Sequence, residues 1–415
     1  MLDILAIASR NLLRYRRRTL LTLLLIVIGM VAVLLFIAVA GSFKTMMVGQ
    51  FTDSVLGHLQ VHRKGYVASI DNLPLNLNMK PAMVAKTEEA LKADPGVESW
   101  SPRIKLGGMF SNFAETTSIR INGIDPAREA ATVPLLSDRL LEGDKTKPLV
   151  ERGQIVIPAL LARGMKTKLG DTVVVVATNR DGSVNGKTFV VRGILEGISG
   201  PGGRDGYIHI EDARELLRMT DAEVSEIAVR LKDFSRLGQA EAQMKQALEG
   251  RTNQEGKPAL EVHTWADLSP FASLARMIDL MTLFIKIVLV SIVLVSVMNV
   301  MIMAVFERIR EIGTIAAIGT PPGRILSLFL AEGLMLGVVG TVAGTLLSLV
   351  AIFGINVWRP TFAFGQQQNL VMAPTIATGD VLTIAALVVV VAIVASLQPA
   401  WKASRMDPIS ALRHV

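Results

Sequence analysis

Residues 19–42 read TLLTLLLIVIGMVAVLLFIAVAGS, with no charge between Arg18 and Lys44. A bilayer core of about 30 Å takes about 20 apolar residues in helix, so this stretch is long enough to span. Three later stretches match it. The second is uncharged over Ile287–Phe306 and begins a turn or two earlier, with Lys286 reaching the headgroups. The third covers about Ile325–Val357 and holds one acid, Glu332, and the fourth covers Val381–Ala400. Ala38-Val39-Ala40 has the form of a signal-peptide cleavage site. The apolar run is too long for a secretory h-region of about 7–15 residues, so it reads as a retained helix.

Composition agrees. Of 415 residues, 51% are hydrophobic and 19% charged, too little charge to cover a wholly soluble protein of this size. Mean hydropathy is +0.45. The chain has no cysteine, which excludes disulfide scaffolds, thiolate zinc sites and cysteine nucleophiles. The net charge of +7 would suit nucleic acid. Its carriers flank apolar runs instead, and aromatics at 5% are too sparse for base stacking. No nucleic-acid partner is expected.

Lys and Arg near the span ends set orientation. Arg10, Arg14, Arg16, Arg17 and Arg18 precede the first span. Arg308, Arg310 and Arg324 lie between the second and third, and Lys402, Arg405 and Arg413 follow the fourth. The short 3–4 loop has only Arg359. Both termini and the 2–3 loop are thus expected in the cytoplasm and segment 43–279 outside. In 2–15, Leu5, Ala8, Leu12 and Tyr15 share a helical face with Arg10 and Arg14 off it. That suits a short interfacial helix, the other reading being an early start of the first span.

The outer segment changes period. His58-Leu59-Gln60-Val61-His62 alternates, as a half-buried strand does. Pro81–Lys92 is a helix opened by proline, and Val97–Trp100 starts a strand. The order recurs at Glu226–Leu231, Leu237–Leu248 and Leu260–Trp265, with "EALK…VESW" echoed by "QALE…VHTW". Two strand–helix–strand units are therefore expected to pair in one mixed sheet. Between them Thr117–Ile121, Gln154–Ile157, Thr172–Ala177, Lys187–Ile194 and Tyr207–Ile210 read as strands, a β-rich insertion at about 131–220.

The fold class is an α-helical membrane domain with four transmembrane helices plus a large α+β extracytoplasmic domain. Its parts are the interfacial helix 1–18, first span 19–42, outer domain 43–279 and second span 280–306. There follow a cytoplasmic loop 307–324, third span 325–358, short outer loop 359–380, fourth span 381–401 and tail 402–415.

No catalytic constellation stands out. Gly182–Thr188 mimics a phosphate loop but has three residues between its glycines where four are needed, and Asp181-Gly182 explains it as a hairpin turn. His58 and His62 share a strand face without a third ligand nearby, so solvated positions are expected rather than a metal pair. Pro201-Gly202-Gly203 reads as a loop. Gly333, Gly337, Gly340 and Gly344 make two small-xxx-small pairs, suited equally to packing within one subunit or between two. Glu332, about two turns past Arg324, calls for a partner near the interface rather than a proton relay.

The 2–3 loop runs ERIREIGTIAAIGTPPGR over 307–324. It is either a helix presenting Ile312, Ile315, Ala316 and Ile318 to a partner's groove or a plain connecting turn. With its continuation to Ser348, it resembles the core signature of the permeases grouped with the cell-division permease, the macrolide-efflux transporter and the lipoprotein-releasing complex. ASRNLLRYRRRTLLTLL at 8–24 and PAWKASRMDPISALR at 399–413 resemble that family's two ends. VIPALLARGMKTKLGDTVVVV at 156–176 and GKTFVVRGIL at 186–195 are similar to its periplasmic core domain.

The resemblance implies an ABC-type permease subunit in a bacterial inner membrane, with its large domain in the periplasm. It would work as a dimer with a second copy or a paralogue, driven by a cytoplasmic ABC ATPase dimer. The chain itself would bind no cofactor, ATP and Mg residing on that ATPase. Glu307, Arg310, Glu311, Gly313 and Gly319 match the family's loop motif, which makes the loop a coupling helix. Arg308, Ile312, Ile315 and Ala316 complete the expected docking set, with Asp407-Pro408 and Leu412 as further contacts. Thr320-Pro321-Pro322 departs from the family's usual Ala-Ser and stiffens the exit. Met30, Phe36, Met298 and Asn299 are expected to line a lateral substrate cavity. Lipoprotein or lipid extraction is the leading expectation. A periplasmic adaptor with an outer-membrane duct is the second and activation of a cell-wall hydrolase the third, disfavoured because such outer domains are usually much smaller; from another class comes a membrane-anchored scaffold without transport.

Overall fold

The computed structural model of the chain describes residues 7, 8, 10, 11 and 14, then 16–197, 204–249, 259–364 and 367–413. It divides into two units, one of residues 1–45, 276–361 and 371–415, the other of 46–275 and 362–370.

The first unit is helical. Arg16–Phe51, Ala272–Glu307, Pro322–Trp358 and Thr378–Ser404 belong to four helices long and apolar enough to cross a membrane. The first three have 36, 36 and 37 residues. At 1.5 Å per residue each is roughly 54 Å long, well beyond a 30 Å core. They therefore exceed the apolar runs: the first goes past Ser42 to Phe51, and the second begins at Ala272 rather than 280. The loop expected at 359–380 contains a hairpin, Thr361–Phe364 with Gln367–Val371. Residues 7, 8, 10, 11 and 14 are helical, whereas Leu5, Leu12 and Tyr15 of the expected interfacial face lie outside the described residues.

The glycines of the third span decide how the helices meet. A Cβ at Gly337 would stand 2.8 Å from the Ala392 Cβ, and Gly333 faces Ser396, both on the fourth span. A Cβ at Gly340 would stand 2.7 Å from Ile26 Cγ2, and one at Gly344 2.6 Å from Met30 Cβ, both on the first span. One glycine pair thus admits each neighbour, and the stripe serves packing within the chain.

The second unit carries strands β1 (Leu59–Arg63), β2 (Val97–Ser111), β3 (Thr116–Ile124), β4 (Leu140–Glu142), β5 (Gln154–Pro158), β6 (Thr172–Thr178), β7 (Val184–Leu195), β8 (Gly206–His209), β9 (Glu226–Leu231) and β10 (Leu260–Thr264). The two repeats interleave in the order β10-β1-β9-β2, crossed by helices Pro81–Ala93 and Leu237–Glu249. All three pairings are antiparallel, and the parallel pairs that make the whole ten-stranded sheet mixed, β3 with β8 and β5 with β7, lie outside the two repeats. The repeats are a ferredoxin-like pair of split strand–helix–strand units.

The insertion begins inside β2, earlier than residue 131. β2, β3, β8, β5, β7 and β6 pair in sequence, and β6 returns to β2 at Gly108–Ser111, which closes a six-stranded ring. Alternate side chains fill it, Val173 and Val175 on β6 and Phe189 and Val191 on β7 being buried. Gly182, at φ +83, sits in the β6–β7 turn, and Lys187 and Thr188 are strand residues. The phosphate-loop mimic is therefore a hairpin.

Candidate functional site

The second span ends at Glu307, Arg308 breaks the helix (φ −114, ψ 17), and a separate helix runs over Ile309–Ala317. Its exit is a Schellman motif. Gly319 at φ +95 donates to the Ala316 carbonyl and Thr320 donates to that of Ile315. Glycine is needed there because a side chain strains at positive φ. Pro321 is extended, and Pro322 opens the third span at its first position.

The helix is amphipathic, but its two faces do different things. Ile312 and Gly313 are buried within the chain, Ala316 is half-buried, and Ile315 and Ile318 are exposed at 41% and 79%. Glu307, Arg310 and Glu311 are exposed, Arg308 is buried, and Gly319 is exposed at the exit. The expectation that Ile312 and Gly313 meet a partner is thereby corrected. A Cβ on Gly313 would stand 2.7 Å from the Cβ of Ala411 in the tail helix Pro408–Arg413. A bulky residue at 313 would dislodge the tail and so tests the fold rather than docking. The Leu412 side chain lies outside the described residues.

Glu332 holds the base of the loop. Its Oε1 accepts from Asn11 Nδ2 at 2.7 Å and from Arg308 Nη1 at 2.8 Å, with the acid and the arginine both buried. Arg14 donates to Glu311 Oε1 at 3.2 Å, and Arg308 Nε lies 3.9 Å from Glu311 Oε2. The N-terminal segment, the loop and the third span thus meet on two carboxylates. The partner expected for Glu332 is Arg308, joined by Asn11.

Of the residues expected to line a cavity, Asn299 is exposed, Phe36 and Met298 are half-buried, and Met30 is fully buried against Gly344. Met30 therefore lines nothing within one chain.

The second unit holds a charged centre that sequence reading missed. His62 and Arg103 are the register partners of Glu226 on either side, across β1, β9 and β2. Glu226 lies 3.1 Å from Arg103 Nη1, 3.0 Å from Lys105 Nζ and 3.5 Å from His62 Nε2. Arg103 Nη2 reaches Glu129 Oε1 at 2.7 Å, and all five side chains are buried. Burial alone would raise the Glu226 carboxyl, but Lys105, His62 and Arg103 hold it well below the usual carboxylate range. Burial pushes His62 down, against the pull of Glu226. His58 and His62 are thus not solvated, since both faces of β1 are covered. Among the described residues no group of three or more His, Asp or Glu is placed to hold a metal. Pro201-Gly202-Gly203 lies outside the described residues.

Residues 19–247 match the MacB-like periplasmic core domain, and residues 283–408 match the FtsX-like permease C-terminal family. The chain belongs to this permease family. The permease is 24% identical over 411 residues to the lipoprotein-releasing system transmembrane protein LolC of Neisseria meningitidis serogroup B, covering 94% of this chain and 92% of that one. It is 27% identical to the pyoverdine export ATP-binding/permease protein PvdT of Pseudomonas syringae pv. tomato, over 99% of this chain and 59% of that one. The crystal structure of the periplasmic region of MacB from Actinobacillus actinomycetemcomitans aligns with 53% of the permease and 92% of its own chain, at 14% identity and a TM-score of 0.36. The FtsX-like match takes in the loop, Glu332 and the glycine stripe of the permease.

Proposed function

We propose that the permease is the membrane subunit of an ABC transporter that moves lipoprotein, or a similar lipid-like cargo, out of a bacterial inner membrane. A cytoplasmic ABC ATPase dimer would carry the ATP and Mg and dock on the loop 307–324. The observation that carries this reading is the divided loop helix. One face is locked to the chain's own tail, and the other leaves Ile315 and Ile318 uncovered beside Glu311 and Arg310. A preformed apolar knob with charged flanks suits a groove in a partner, the charges setting orientation at the rim.

The likeness to LolC along nearly the whole of both chains favours lipoprotein as cargo. PvdT, whose name joins export, ATP binding and permease, favours an export pump as second reading. The basic residues around the termini and the loop support a cytoplasmic location for all three. Between 28% and 33% of each span's most apolar window is buried within the chain, which leaves ample surface for a second permease and for cargo.

Ile318→Glu tests the docking face. Losing an apolar anchor of about 2 kcal/mol weakens ATPase capture about 30-fold. Melting should be unchanged, because Ile318 is 79% exposed. Co-purification with the ATPase at full strength would remove this face from the interface.

A further inference from the structure

The first-span helix does not fray where it ends. It passes into a π turn, Thr52–Leu56, in which the Thr52 and Ser54 hydroxyls bond the carbonyls of Val48 and Gln50. A helix end leaves its last carbonyls without helical partners, and here side chains from separate elements take them. Arg139 Nη1 donates to the Ser54 carbonyl at 3.4 Å, Arg103 Nη1 to that of Val55 at 2.6 Å, and Gln60 Nε2 to that of Leu56 at 2.8 Å. Arg230 Nη1 donates to Asp53 Oδ1 at 2.6 Å, with His58 Nε2 3.6 Å from the same oxygen. His58 Nδ1 accepts from the Leu231 amide, so its proton is on the nitrogen facing Asp53. Gly57, at φ +74, then lets the backbone turn against β9, where a Cβ would stand 3.1 Å from the Val229 carbonyl.

These side chains come from different parts of the unit. Gln60 lies on β1, Arg103 on β2 and Arg230 on β9, so three sheet strands take part. Arg139 ends the short helix before β4, and its Nε and Nη2 both donate to the Glu196 carbonyl just past β7. Helix end, sheet and ring therefore share one set of bonds, and those from the arginines are charge-assisted, a kind about twice as strong as neutral ones.

We propose that Arg103, Arg139 and Arg230, with Gln60 and Asp53, form a grip through which displacement of the first-span helix is passed to the sheet and the ring. They act as positioning residues for the outward stroke. The proposal rests on the transporter reading above and adds the residues that carry the stroke.

The test uses the full permease–ATPase complex in liposomes, with a fluorescent triacylated lipopeptide as cargo and hydrogen exchange as a second readout. In the wild type, ATP should change exchange at the amides of Leu56–Leu59 together with those of β9. Asp53→Asn and Arg230→Gln should speed exchange at Leu56–Leu59 about tenfold, the scale of one lost charge-assisted bond. ATP hydrolysis should continue at the wild-type rate while lipopeptide release falls about tenfold. A merely structural role would not separate hydrolysis from release. Release at the wild-type rate despite faster exchange overturns the grip, and so does loss of hydrolysis together with release. If neither variant folds, the wild-type exchange experiment decides alone, and absence of an ATP-dependent change at Leu56–Leu59 overturns the proposal. Failure of the wild type to release lipopeptide would count against the transporter reading, whereas the exchange change is scored without cargo.

Discussion

Glu226→Leu is expected to cost about 3–5 kcal/mol of folding stability, the range for removing one partner of a buried ion pair. Leucine is close in size and would gain transfer energy, so the loss comes from the groups left behind. Arg103 Nη1 and Lys105 Nζ lie 3.1 and 3.0 Å from the carboxylate, and both side chains are buried. Glu129 answers Arg103 and not Lys105, so among the described residues Lys105 would be left in a closed interior without a facing acid. Glu226→Gln keeps the shape and two polar atoms and should cost less. For a unit of this size the leucine variant should melt about 10 °C lower, read by scanning calorimetry of the full chain in nanodiscs. Melting within a degree or two of the wild type would mean that this centre does not hold the sheet together.

The same centre sets an acid response. Glu226 titrates below its ordinary value, so its contribution is complete above the unfolded carboxyl range and is lost as pH falls through and below it. His62 is also lowered, and the unfolded chain therefore takes up its proton first as pH drops below about 6.5. Both act in one direction. The melting temperature should decline from pH 7.5 to pH 6 through His62 and more steeply toward pH 4 through Glu226. His62→Phe keeps the stack on Tyr66, whose ring lies 5.4 Å away, and should flatten the upper part of the decline. An unchanged slope above pH 6 would exclude His62 as its source.

What the sequence disclosed follows from what periodicity can carry. Long uncharged runs announce spans without any tertiary knowledge, and the repeated strand–helix–strand order announces half of the outer sheet. Strand pairing is a different kind of information. The alternation of His58–His62 predicts one wet face, yet β1 lies between β10 and β9 with both faces covered. Only the register that sets His62 and Arg103 against Glu226 makes a buried histidine acceptable. Arg103-Ile104-Lys105 with Glu226 held a faint signal, like-charged residues two apart on one strand and an acid in another. Ring closure through Gly108–Ser111 is non-local and left no local mark. The loop helix was legible as amphipathic, but not which apolar residues its own tail would cover. Ile312 and Ile318 look alike in sequence, and only the Gly313–Ala411 contact separates them.

The Arg308–Glu332 pair offers the sharpest separation of stability from coupling. Glu332→Leu alone should destabilise by about 3–5 kcal/mol, because Arg308 would remain buried and charged. Arg308→Leu combined with Glu332→Leu removes that penalty, and such replacements of buried pairs are often neutral or stabilising. The double variant should therefore recover the wild-type melting temperature. It should not recover ATPase capture, because Arg308 stands at the break between the second span and the loop helix and fixes that helix through Glu332. Asn11 would also lose its acceptor there, freeing the N-terminal segment from the third span. Binding should stay weakened about tenfold, the effect of one to two kcal/mol of lost preorganisation. A double variant restored in both stability and capture would make the pair a replaceable packing element. One restored in stability alone would make it the register pin of the coupling loop.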